Sequence, residues 1–249
     1  MWGAIPPDRK RTPVPSFQTS TTPAAAFGAE RAERDFLRQV FAWMFAALAL
    51  TTAIAVWFHA SGSTLNFFAD HRGLFIAAIV AQLGLVVVLS GAINRVSART
   101  AALLFFLYAG LTGVVFSILL DAYTTASVVG AFAGAAGVFG GMAVYGYATD
   151  RDLSGLRGIL FGGLIGIVVA SIVFMFVGGS TFNLIIGWAG VIIFSGLTAY
   201  DMQSLKRIRS SGQITAENDE KLAIFGALRL YLDFINLFIS LLRIFGNSR

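Results

Sequence analysis

Seven stretches of the chain, 36–58, 74–93, 101–120, 126–147, 158–177, 182–203 and 222–245, are runs of mostly apolar residues. Each is about as long as a helix needs to cross a bilayer core, ~20 residues. Lipid offers no hydrogen bonds, so a spanning segment must pair its own backbone as a helix or close into a barrel. The runs are continuous and do not alternate with polar residues, which speaks against barrel strands. The chain is therefore read as an all-α membrane protein with seven transmembrane helices. All five prolines, Pro6, Pro7, Pro13, Pro15 and Pro23, precede the first run, so no span is kinked by one. Only 12% of the residues are charged, against ~25% in soluble domains. The absence of cysteine excludes disulfides, thiolate metal sites and cysteine nucleophiles.

Residues 1–35 differ from the rest. They are rich in Pro, Ala, Ser and Thr and lack an apolar period, so a disordered cytoplasmic tail is expected, with residues 36–249 forming the transmembrane domain. The tail is not expected to be a cleavable signal, because the apolar run after it starts late and is long. Orientation follows from the loop charges. Arg9, Lys10, Arg11, Arg31, Arg34 and Arg38 precede or open the first span. Arg95 and Arg99, Arg151 and Arg157, and Lys206, Arg207, Arg209 and Lys221 fall in every second loop, while the alternate loops hold only Arg72. The N-terminus is thus expected in the cytoplasm and the C-terminus on the far side; the absence of cysteine and the basic, Ala-rich tail point to a bacterial cell and its inner membrane.

Glycines recur at helical spacing: Gly130, Gly134, Gly137 and Gly141 in the fourth span, and Gly158, Gly162 and Gly166 in the fifth. These are expected to be helix-packing faces, since small residues let backbones approach. A flexible gate is the alternative.

Few ionisable residues lie inside the spans. Asp233 is about eleven residues into the seventh, which at ~1.5 Å per residue is ~16 Å deep. A charge there is costly, so it should face the protein and have a partner. Arg229 is four residues earlier and shares its helix face. It reads either as a structural counter-charge or as a group that tunes an ion or proton site. Asn236 could add an amide oxygen, and Tyr200 and Tyr231 each stand just before an aspartate. Asp201 ends the sixth span, where an acid opposes the helix dipole and calls for a partner. Arg95 ends the second span and reads by itself as a snorkelling topology charge.

Several chemistries are set aside. His59 and His71 fall in one non-cytoplasmic loop, so no intramembrane histidine cluster exists; Lys10, Lys206 and Lys221 are not mid-span, so no retinal Schiff base is available. Tyr200–Asp201 matches half of an intramembrane aspartyl-protease signature, but LYLD stands where GxGD is needed and no proline follows Pro23. No classical enzyme chemistry and no cofactor are expected.

Two segments, AYDMQSLKR (199–207) and LRLYLDFINLFISLLRIFG (228–246), resemble the Bax inhibitor motif family of seven-span membrane proteins. The resemblance covers the span pattern from about residue 36, not the tail. It implies six helices packed around a central seventh, and a pH-sensitive calcium leak in which Asp201 and Asp233 are the sensor, the ion pathway and the calcium contacts. It also implies that Arg95, placed by its spacing from Thr112–Gly113, bridges Asp201 as a latch in the closed form. Two departures stand out: no proline near Phe116–Ser117–Ile118, and Arg229 where a small or polar residue is usual. On this reading Asp233 shares a proton or a water with Asp201. A rival reading is a regulator that binds a partner, such as a membrane-anchored protease, through the cytoplasmic tail. No nucleic acid is expected as a partner.

Overall fold

The computed structural model describes residues 23–62, 72–92, 96–210 and 216–247. Among the described residues seven α-helices follow in order: α1 Pro23–Ala60, α2 Arg72–Ala92, α3 Ala98–Ala122, α4 Thr125–Ala148, α5 Arg157–Val177, α6 Ser180–Ser210 and α7 Ala216–Phe245. A 3-10 turn, Leu153–Leu156, leads into α5. Six of the helices are long and apolar enough to cross a membrane, and α2 carries a shorter apolar helix, Ile76–Val88. The protein is an all-helical, seven-helix membrane protein.

The connections are short where local chemistry ends one helix and caps the next. Thr124 accepts from Ser127 N through its side chain and so caps α4 two residues after α3 ends. Gly178 and Gly179 stand at φ +67° and +100°, a conformation that favours glycine, and they turn α5 into α6 with nothing else between. Two helices run longer than the apolar pattern. α1 begins at Pro23, so residues 23–35, expected as tail, are helical. Ala, Glu and Arg are strong helix formers, and proline is tolerated in a helix's first turn. α6 continues to Ser210, seven residues past the apolar stretch, because charge ends a hydrophobic run without ending a helix. Asp201 consequently lies about 13 Å inside the end of α6, at ~1.5 Å per residue, and not at its tip.

α7 is the centre. Of its most apolar window 67% is buried, against 33% or less in the other five long helices and 6% in α5. It packs directly on α1, α3, α4 and α6, while α2 packs on α3 and α5 on α6. Tyr231 fastens this centre. Its ring stands edge-on to Phe105 and Tyr108 of α3, with centroids 5.6 and 5.9 Å away. Thr51 of α1 donates to Ala109 O at 2.9 Å. That uses its one hydroxyl proton, so the Tyr231 hydroxyl is the donor in the 2.7 Å bond to Thr51 Oγ1. One buried chain of two hydrogen bonds thus ties α7 to α1 and α3.

The glycine expectation is corrected. A Cβ at Gly130, Gly137, Gly141, Gly158, Gly162 or Gly166 would meet nothing within 4 Å; only Gly134 touches a neighbour, Leu241 Cδ1 at 3.5 Å. The close approaches are elsewhere. A Cβ on Gly146 would strike the backbone of Ala199, with Cα at 2.8 Å, and one on Gly113 would lie 2.6 Å from Thr51 O. Spacing by four shows that residues share a face; it does not say which face meets protein.

Candidate functional site: a buried acid pair and an arginine between α6 and α7

α6 and α7 form an antiparallel hairpin. Gly190 lies against Ser240 near one end, and Gly226 against Leu205 near the other. That register sets Asp201 opposite Arg229, with Asp233 one turn farther along α7. Arg229 Nη2 donates to Asp201 Oδ1 as a direct ion pair. Asp201 and Asp233 are each 5% exposed. Asp233 lies within electrostatic reach of both Asp201 and Arg229, yet its Oδ2 has no hydrogen-bond partner among the described residues.

The choice of partner follows from helix geometry. Cα–Cβ bonds tilt toward a helix's N-terminus. On α7 this leans Arg229 away from Asp233, and a cation placed four residues before an acid is the less favourable order. On antiparallel α6 Asp201 stands level with Arg229, so the register, and not the tilt, gives the pair. Sequence spacing brings out the Arg229–Asp233 face; the tertiary fold gives the ion pair to Asp201.

The remaining predicted residues are placed as follows. Arg95 lies outside the described residues, as does His71. Asn236 is half-buried, and its Nδ2 donates to Leu232 O on the preceding turn at 2.7 Å. The Tyr231 hydroxyl is engaged by Thr51 on the α1–α3 side of α7. Tyr200 is half-buried beside Asp201. His59 closes α1 and pairs with Asp121 of α3 at 2.5 Å. Among the described residues no three His, Cys, Asp or Glu side chains gather as a metal cluster. Calcium takes 6–8 oxygens, so Asp201 and Asp233 could meet a passing ion but do not by themselves form a closed cage.

Residues beyond Asp201 in AYDMQSLKR build a clasp that spacing did not reveal. Gln203, 6% exposed, accepts from Leu153 N at 2.9 Å and donates to Arg151 O at 2.8 Å. Lys206 donates to Tyr147 O at 2.9 Å and sits 4.7 Å above that ring's centroid. Arg207 pairs with Asp152 at 2.6 Å. The Ser154 backbone N–H, with Arg207 beside it, holds the Asp152 carboxyl down at about 2. The amide in the motif is the available signal: a glutamine near a helix end, with both of its polar atoms to satisfy.

The family described as "Inhibitor of apoptosis-promoting Bax1" matches residues 33–249. The inner membrane protein YbhL of Escherichia coli is 45% identical over 217 residues, covering 87% of this chain and 93% of that protein. An uncharacterized protein of Deinococcus radiodurans is 45% identical over 216 residues, covering 87% and 91%. One of Borreliella burgdorferi is 42% identical over 218 residues, covering 87% and 94%.

Proposed function

The chain belongs to the Bax inhibitor family of membrane proteins, and we propose that it is a pH-sensitive calcium leak of the bacterial inner membrane. The observation that carries this reading is the pair Asp201 and Asp233: two buried carboxylates on adjacent helices, one of them with an oxygen that no described residue satisfies. Acids this close titrate as a unit. In a dry site the unsatisfied Asp233 Oδ2 is where a proton or a passing cation is held, and exchange of one for the other couples calcium movement to pH. Calcium is the cargo; Asp201 and Asp233 would contact it in transit, with water supplying its other oxygens. Asn236 would add its amide oxygen one turn beyond Asp233. Arg95, with the cytoplasmic orientation of the N-terminus, belongs to the same proposal as a latch at the cytoplasmic end of the second span.

The test is calcium entry into liposomes that contain only this protein. The expected result is a flux whose rate changes across the neutral pH range. No flux above empty liposomes at any pH overturns the leak. A reporter fused after Gly179 is expected outside and one within residues 211–215 in the cytoplasm; both on one side would overturn the orientation.

A further inference from the structure

One acid of the pair already holds a cation. We propose that Arg229 is a tethered occupant of the Asp201–Asp233 site, and that a divalent ion enters only when its guanidinium swings out. The inference rests on reading the two aspartates as ion contacts, and it names the residue that decides when they are available.

Three observations support it. The α6–α7 register sets Arg229 and Asp201 opposite each other, and the ion pair joins them directly. A divalent ion at Asp201 would therefore face a guanidinium at contact distance, and like charges so placed repel each other. Arginine stays protonated at any physiological pH, so this exclusion does not lapse by titration of Arg229 itself. Second, the two partners differ in access. The Arg229 side chain is 26% exposed and that of Asp201 7%. Part of the arginine arm reaches the protein's surface, and almost none of the acid does. Third, the cations farther along α6 are engaged elsewhere: Lys206 with Tyr147, Arg207 with Asp152 and Arg209 with Asp219. Among the described residues, withdrawal of Arg229 leaves Asp201 without a positive partner, while Asp233 Oδ2 still lacks a donor. Both acids are then without a cation among the described residues.

The test uses the purified full-length protein and terbium(III), a calcium-sized ion whose luminescence is excited through tyrosines such as Tyr200 and Tyr231. Wild type is expected to bind it weakly. Arg229→Gln should bind at least about tenfold more tightly. Ethylguanidinium should displace it from that variant and ethylammonium should not, because the planar fork is what fits a carboxylate. Adding Asp233→Asn should abolish the gain. Arg229→Ser gives the same reading should the glutamine variant not fold. Equal terbium affinity in wild type and variant, or equal displacement by the two organic cations, overturns the proposal. Binding is read without flux, so the two readings separate. A variant that binds as expected in a protein that never leaks removes the leak alone. A leak whose rate ignores Arg229 removes the tethered cation alone.

Discussion

α5 and α7 are both membrane-length helices, and the more hydrophobic of the two is the one left outside. α5 is the most apolar span of the protein, yet 6% of its window is buried; α7 is markedly less apolar and 67% buried. In water the order would be reversed. In a bilayer, lipid tails solvate Ile159, Phe161, Ile165 and Phe176 of α5, all of them exposed in the fold, as well as a protein interior would. The hydrophobic effect then does not choose the centre. Polar groups choose it: Arg229, Asp233, Asn236 and the Tyr231 hydroxyl all lie on α7, and each needs a partner that lipid cannot supply.

The largest expected effect tests whether the central helix carries the function. Asp233→Asn removes the titrating group, so calcium flux in liposomes should lose its pH response. A normal pH response would reduce Asp233 to a structural residue and leave the comparison one of packing only.

Next in size is a matched pair of glycine substitutions, one beside the core and one on the outer helix. Gly146→Val on α4 drives a side chain into the Ala199 backbone and should destabilise by about 1–3 kcal/mol. A Cβ at Gly162 on α5 meets nothing within 4 Å, and Gly162→Val should change stability by less than about 0.5 kcal/mol. Unfolding in lipid or detergent measures both. Equal costs would mean that the outer glycine face is packed after all, by something other than this chain.

Tyr231→Phe sharpens the account of how the centre is tied. It keeps the ring against Phe105 and Tyr108 and removes only the hydroxyl that bonds Thr51. Such bonds in membrane proteins average about 0.6 kcal/mol, with an upper end near 1.7. A loss beyond that range would show that the Thr51–Ala109 link collapses with it.

The smallest effect is expected at the clasp outside the spans. Asp152 is held at about 2, below its ordinary 3.8. Its folded pKa is depressed, so whatever stability it contributes is complete above 3.8 and is lost only as pH falls toward 2. Asp152→Asn should therefore leave the flux profile unchanged across the neutral range. A shifted profile would extend the pH-sensing region beyond α6 and α7.

Much of this protein was legible before any fold was known, because lipid makes the deciding properties local. A twenty-residue apolar run must satisfy its own backbone, so helix number and class follow from the runs themselves. Asp233 at mid-span had to find company inside the bundle, for the same reason. The ends of α1 and α6 were less legible, since hydropathy marks where lipid stops and not where helical hydrogen bonding stops. What only the tertiary structure decided was who meets whom. Gly130 and Gly146 share one helix and one residue type; only contact with Ala199 distinguishes them. Arg229 shares a face with Asp233 along the chain, yet pairs with Asp201 across it. The register of two antiparallel helices is a property of the pair, and a periodicity read along one stretch of sequence does not contain it.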